Sequence, residues 1–461
     1  MERRPIVSII IPLYNVKEYI EKAFDSICSQ TLTNWELFLV DDGSTDGSAE
    51  VCDILASDDS RVQVIHQENQ GAAAARNAAI GKANGKYLYF MDADDWASPD
   101  MLYDMVCLAE NYILDAWAGV PVDTAGRHLG AIGRFRQNPA DMTADVPEEQ
   151  CAQLVVTGFY IETYYTESDY FLQKQCVPSR VFGDRREFRE YAHELFDRNL
   201  LYTPWNKLYL ASYIRENQIT FPEVHWDDFP FNLQVIKNID RVTVSEKAYY
   251  HFIRKRTDSE SEKYNVGLYE KREEENQWLL DLYDEWREDL HGILLEEAKE
   301  QGQIPMFIEP EETQTEALEQ ERNADQSESA AEQTADTSGS EAEETAFLPA
   351  LNVPAAETLY GPAREFVARR YLERIVGCVE NVTNPQCELS RKEKRSEIKQ
   401  MISQESVREA LKAAKPRSLY MKMMLVPIRM KSTSLSYMEG SLISKVKKKN
   451  GKLFARLKAG R

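Results

Sequence analysis

Val7-Ser-Ile-Ile-Ile11 and Trp35-Glu-Leu-Phe-Leu-Val40 are the two runs on which the fold turns. Each is a short string rich in apolar and β-branched residues, as expected of a strand covered on both faces. Between them Val16, Ile20, Phe24 and Ile27 recur at helical spacing across residues 16–29. The alternation continues outward: a helix at 48–56, a strand at 61–66, an Ala-rich helix at 72–83 and a strand at 86–91. Strands and helices that alternate through short connections predict an α/β fold, a mostly parallel sheet flanked by helices. In such sheets ligands gather beyond the carboxyl ends of the strands. The polar clusters of this chain fall at those ends.

The 461 residues leave room for more than one domain, and 43% hydrophobic content is enough for a sizeable core. A formal charge of -22 argues against a general nucleic-acid binder. The seven cysteines show neither a CxxC pair nor metal-ligand spacing, which reads as reduced thiols of a cytoplasmic protein. The apolar run before Pro12 is too short for a signal segment. No stretch approaches the about 20 apolar residues that span a bilayer.

Beyond the first block the pattern changes several times. From 116 to 200 periodicity is weak, a second patterned block covers 202–250, and 264–299 looks helical. Residues 309–346 hold thirteen acids against Arg322 and almost no large apolar side chain. Such a composition cannot offset its ordering entropy by burial and is expected to be disordered. Helical pattern returns over 363–413. Residues 441–461 carry eight Lys or Arg and no acid.

Three polar clusters carry the chemistry. Asp41-Asp42-Gly43-Ser44-Thr45-Asp46 follows the second strand; its plain reading is a tight turn leading to a helix cap. Its sharper reading gives Asp41 a hydrogen bond from a nucleobase or ribose. Asp92-Ala93-Asp94-Asp95 follows the fourth strand, where crowded carboxylates need solvent or a shared cation. Mg²⁺ or Mn²⁺ suits oxygen ligands and leaves room for phosphates. Gly71 opens the Ala-rich helix, on which Arg76 is either a lone exposed base or a fork for a base or diphosphate.

Together, Val7-Ser-Ile-Ile-Ile-Pro-Leu-Tyr-Asn15, Val40-Asp-Asp-Gly-Ser-Thr-Asp46, Asn69-Gln-Gly71 with Ala75-Arg-Asn77, and Met91-Asp-Ala-Asp-Asp95 resemble the family 2 glycosyltransferases of the GT-A fold, of the bacterial polysaccharide and cell-surface glycan type. The resemblance is ordered and nearly gapless over roughly residues 5–110. It implies a nucleotide-sugar donor, often a UDP-sugar. Pro12, Tyr14, Asn15, Asp41, Gly71, Arg76 and Asp92 would line the donor site, and Asp94 with Asp92 would hold the divalent ion. The blocks Pro204-Trp-Asn-Lys-Leu-Tyr209, Phe221-Pro-Glu-Val-His-Trp-Asp-Asp-Phe229 and Tyr249-Tyr-His-Phe-Ile-Arg254 resemble the acceptor-side half. Where the family has a Glu-Asp pair, this chain has Asp227-Asp228. Asp228 is then the expected base and Asp227 the second candidate, against the plain reading of acids at a helix N-terminus. His225 and Trp226 are candidates for the acceptor pocket.

The implied function is inverting, metal-dependent, single-sugar transfer to a glycan or lipid-linked hydroxyl, since no Gln-x-x-Arg-Trp motif of processive synthases is present. A nucleotidyltransferase is the rival enzyme, disfavoured because Tyr14-Asn15-Val16 is not a Gly-rich basic loop. An inactive carbohydrate-binding or scaffold protein is the non-enzymatic rival. The expected organisation is a nucleotide-sugar half at 1–115, an acceptor half at 116–262, a helical extension at 263–308, an acidic linker at 309–346, a helical region at 347–440 and a basic tail at 441–461. The expected location is the cytoplasm, with the tail on an anionic inner membrane surface.

Overall fold

A computed structural model describes residues 4–111, 146–166, 168–255, 264–300 and 354–449. The acidic segment at 309–346 and the last part of the basic tail, 450–461, lie outside the described residues. The chain divides into two compact units, Met1–Asp284 with Tyr360–Arg461, and Glu285–Leu359.

Four parallel strands form the first half of the sheet: β1 (Val7–Leu13), β2 (Trp35–Asp41), β3 (Val62–His66) and β4 (Tyr87–Phe90). Their order is β3-β2-β1-β4, so β1 is central and its residues 7–11 are fully buried. Helices α1 (Ile20–Cys28), α2 (Ser48–Asp58) and α3 (Ala72–Ile80) make the connections. Gly85 marks one close approach: a Cβ there would lie 2.5 Å from the Ser8 amide nitrogen. Its N–H donates to Ser8 Oγ at 2.7 Å, beside the buried Glu36.

The second half contains β5 (Trp96–Ala97), α4 (Met101–Glu110), β6 (Leu154–Tyr164), β7 (Tyr170–Gln175), β8 (Arg180–Phe182) and α5 (Arg185–Asp197). After these come β9 (Lys207–Leu210), α6 (Ala211–Glu216), α7 (Asp228–Lys237) and β10 (Val242–Lys255). Here the sheet is mixed. β9 runs antiparallel between β4 and β6, while β10 runs parallel to β6 and antiparallel to β5 and β8. Because β9 is antiparallel to β4, its first residues lie at the carboxyl end of β4, the end that leads into Asp92. Among its described residues, the weakly patterned stretch before residue 200 contains the strands β6, β7 and β8 and the helix α5.

Phe90 of β4 meets Tyr209, Phe221 and Phe231 edge-on at 5.0–5.6 Å between ring centres, and Phe221 stacks on Phe231 at 3.8 Å. This aromatic cluster seats α7 and the loop before it against the sheet, where offset and edge-on rings are favoured.

The remaining helices are α8 (Leu268–Glu300), α9 (Pro354–Val382), α10 (Arg391–Ser403), α11 (Glu405–Ala413), α12 (Leu419–Arg429) and α13 (Thr433–Lys449). Ile375, Val379, Ile398, Met401 and Leu425 belong to a separate apolar core among them. α10 starts with a full capping box, Ser390 and Glu393 satisfying each other's backbone N–H. α13 runs straight through residue 440, where composition suggested a break between a helical region and a tail.

Candidate active site

The loops after β1 and β2 are joined by their own polar groups. Asn15 lies at φ 53°, a left-handed conformation that asparagine tolerates. Its Oδ1 accepts from Thr45 N–H at 2.8 Å, and its N–H donates to Ser44 Oγ at 3.0 Å. Val16 and Lys17 N–H donate to Ser48 Oγ and Asp46 Oδ2. Gly43 completes the turn at φ 74°, a left-handed backbone that favours glycine, and a Cβ there would crowd the Asn69 amide nitrogen at 3.0 Å. Pro12 lies within β1, and Tyr14 is exposed at the rim.

Sheet register places Asp41 beside Leu13 on one side and His66 on the other. Asp41 Oδ1 accepts from Ser44 N–H and Oδ2 faces His66 Nδ1, both at 3.0 Å. Burial pushes this carboxyl upward, yet the hydrogen bonds from Ser44 and His66 outweigh it and hold it below the ordinary value. Asp41 and, less strongly, Asp53 raise the imidazole of His66 in return. Asp42 serves α3: its oxygens accept from Gln67 Nε2 and from the Gln70 and Gly71 N–H groups, each at 2.8 Å. Gly71, at φ 90°, then starts the helix.

Arg76 is the centre of the arrangement. It is 4% exposed, so its charge must be met inside the protein. Nη2 donates to Asp92 Oδ1 at 3.0 Å, and Nη1 donates to Asp227 Oδ2 at 3.0 Å. Nη1 also stands 3.1 Å from Asp228 Oδ1. Burial works against the guanidinium's charge, but the three carboxylates more than restore it and raise its pKa. Asn77, the next residue, exchanges two hydrogen bonds with Phe221, from Nδ2 to its carbonyl at 2.8 Å and from its N–H to Oδ1 at 2.9 Å. α3 therefore grips the loop that leads to α7.

The acids after β4 divide by role. Asp95 is buried, accepting from Tyr250 OH at 2.6 Å and from Ile253 N–H at 2.7 Å. Burial, reinforced by Asp94 and Asp92, pushes its carboxyl far upward. Tyr250 OH also accepts from Asp92 N–H at 3.2 Å, so β10 braces the turn. Asp92 is half-buried and Asp94 exposed. Among the described residues no three His, Cys, Asp or Glu side chains converge as a ready-made metal cage. Asp92 and Asp94 are nonetheless hard oxygen donors on one turn. They fit a Mg²⁺ or Mn²⁺ ion that completes its shell from water and phosphate.

Asp227 and Asp228 stand at the N-terminus of α7, but Asp227 makes no side-chain cap to the helix backbone. Its carboxylate turns to Arg76 instead. Asp228 Oδ1 is buried and accepts no hydrogen bond of good geometry, although 28% of the side chain remains open. Burial drives the Asp228 carboxyl up to about 7; Asp92 and Asp227 add to this while Arg76 and Lys207 oppose it. Asp227 is raised as well, again by burial first. Asn232 Nδ2 donates to the Asp228 carbonyl at 2.8 Å and its Oδ1 accepts from Tyr209 OH at 2.8 Å. The preceding Trp226 sits at φ 63° with the Arg272 guanidinium 4.1 Å from its ring centre, and His225 is exposed.

Lys207, Asn77, Asp95 and Tyr250 lie within the motif stretches, but sequence reasoning gave none of them a role of its own in this site. Lys207 is fully buried, its ammonium donating to Asn206 Oδ1 at 2.9 Å and to the Thr203 carbonyl, and burial lowers its pKa strongly. A Lys inside an otherwise apolar strand, Lys207-Leu-Tyr-Leu210, was the available signal. The other three depend on partners more than 140 residues away in the chain, which no local pattern reveals.

The sequence profile described as "Glycosyl transferase family 2" matches residues 8–141. The "Uncharacterized glycosyltransferase EpsJ" of Bacillus subtilis (strain 168) is 30% identical over 248 residues, 53% of this chain and 60% of that protein. The putative teichuronic acid biosynthesis glycosyltransferase TuaG of the same organism is 37% identical over 130 residues, 26% of this chain and 52% of that protein. The chain thus spans between half and three-fifths of the length of these relatives. Among solved structures, S. aureus TarS 1-349 in complex with UDP-GlcNAc aligns with 95% of this chain and 91% of its own at 16% identity and a TM-score of 0.49.

Proposed function

From the match of residues 8–141 to the glycosyl transferase family 2 profile, we propose that the chain moves one sugar from a nucleotide-sugar, of the UDP type, to a hydroxyl of a glycan or lipid-linked acceptor with inversion at the anomeric carbon. The observation that carries this reading is the buried Arg76. It joins Asp92, beside the donor, to Asp227 and Asp228, beside the acceptor, through contacts of 3.0–3.1 Å. Two chemistries that must meet at one carbon atom are held by one side chain.

Asp228 is the base. A carboxyl raised to about 7 takes up a proton far more readily than an ordinary aspartate, which suits removal of the acceptor hydroxyl's proton as the oxygen attacks. Asp227, already engaged by Arg76, orients the guanidinium. Asp41 anchors the loop where the nucleotide base would lie, and Asn15 and Gly71 shape its walls. Asp94 and Asp92 would hold Mg²⁺ or Mn²⁺, which when bound supplies positive charge to the leaving diphosphate. The basic residues 441–461 would bring the enzyme to an anionic inner membrane surface.

The test is release of nucleoside diphosphate from UDP-, GDP- and dTDP-sugars, with and without Mn²⁺. Turnover of one donor class that D228N lowers by about two to four orders of magnitude while binding persists is the expected result. A protein that binds these donors without turnover, under every metal condition, is a carbohydrate-binding scaffold. Release of inorganic pyrophosphate from a nucleoside triphosphate and a sugar phosphate would mark a nucleotidyltransferase.

A further inference from the structure

α12 is apolar on two faces. Met421, Met424, Leu425 and Ile428 are buried in the helical core. On the opposite side Leu419, Met423, Val426 and Met430 recur at intervals of four, three and four residues, and all are exposed, by 49 to 74%. α13, packed against α12, repeats the pattern with Leu435, Met438 and Leu442, exposed by 41 to 63%. A helix that is hydrophobic all round is normally covered. Clustered exposure of this kind marks a surface that meets something else.

The charge beside it points to what that is. Residues 415–461 hold thirteen Lys or Arg and a single acid, Glu439, a net of +12 in a chain whose total is -22. Lys422, Arg429, Lys431 and Lys445 are exposed among the apolar residues themselves. Long, flexible Leu and Met side chains interleaved with bases match a bilayer interface, where apolar chains enter the headgroup boundary and bases meet lipid phosphate.

We propose that α12 and α13 form a docking face for an anionic bilayer, with their exposed Leu, Met and Val side chains inserted and Lys422, Arg429, Lys431 and Lys445 on lipid phosphates. This deepens the membrane-facing part of the proposed function: the folded helices supply the apolar contact, and the basic residues beyond them add attraction only. Its test reads binding separately from sugar transfer.

Full-length protein is sedimented with phosphatidylcholine vesicles, with and without phosphatidylglycerol, at low and high salt. It should pellet with the anionic vesicles only, and M423S/M430S/M438S should weaken this by about tenfold or more, since three side chains that would enter the bilayer are lost. Removal of 450–461 should weaken it less than the triple variant does. M430W gives a second reading, independent of affinity: its emission should move to shorter wavelength when anionic vesicles are added. The proposal is overturned if the full chain ignores anionic vesicles, or if the triple variant binds them as wild type does. It is also overturned if the M430W emission stays unmoved in vesicle-bound protein, or if the wild type is a dimer that the triple variant dissolves, which would assign the face to a second copy. Donor turnover, measured in parallel on a soluble acceptor, should be the same in all these proteins. Its absence from every one of them would count against the enzyme reading and leave the docking result untouched.

Discussion

Arg76 balances three carboxylates with one charge, so the residues around it respond as a group. D94N should abolish transfer as completely as EDTA does; full turnover in EDTA would remove the metal from the reaction. Asp228 should set the pH profile. It accepts a proton only when ionised, so kcat/KM should rise with pH and level off above about 7. D228N should lower turnover by about two to four orders of magnitude with donor binding kept. If D227N is the crippling change instead, the base lies one residue earlier. The same carboxyl makes a claim about stability. Its folded pKa lies above the unfolded value of 3.8, so its favourable contribution is complete below that value and is lost as pH rises through about 7. D228N, fixed in the neutral form, should therefore melt higher than wild type at pH 8, by about 2 kcal/mol in stability, and lose that advantage near pH 4. Melting temperatures across that range decide it.

At the scale of elements, α3 matters through a neighbour of its arginine. Asn77 ties α3 to Phe221 by two reciprocal hydrogen bonds, and the loop they hold delivers Asp227 and Asp228. N77A should cost about 2 kcal/mol, near 1 for each bond, and should lower kcat more than it raises the donor KM. Urea melts and steady-state kinetics on the same variant test both halves of that expectation. β1 to β4 were legible in the sequence because strands covered on both faces read as apolar runs. β7 was not, since it alternates exposed and half-buried residues and is short. α5 was hidden by its polar composition, although Asp184 caps it by accepting from Glu187 N–H at 2.9 Å. The motif acids Asp41, Asp92 and Asp94 were visible as residue types at strand ends, and Asp228 as an acid at the start of a helix. That Asp41 meets His66, or that Arg76 links both ends of the site, depends on register and long-range packing.

The C-terminal helices are joined to the α/β part by buried charge. Arg369 of α9, 5% exposed, pairs with Asp197 at the end of α5 at 2.9 Å, and Arg417 reaches the same carboxylate. Phe196 stacks on Phe366 alongside, with ring centres 6.0 Å apart. R369A would leave Asp197 and Glu373 poorly compensated and should lower stability by about 3 kcal/mol. Calorimetry should still show these parts melting in one transition; a new low-temperature transition in the wild type would show that the helices unfold alone.

The place of β9 in the sheet has a practical consequence. The N-terminal block reads like a self-sufficient module, and it is tempting to cut the chain near residue 111 and study that piece. β4, however, has its outer side covered by a strand that arrives only after residue 206. A fragment ending at 111 would present bare N–H and C=O groups along Tyr87 and Leu88, a template for a neighbouring copy rather than a ligand. The segment that looks most like a portable nucleotide binder should be the least tractable one to express by itself.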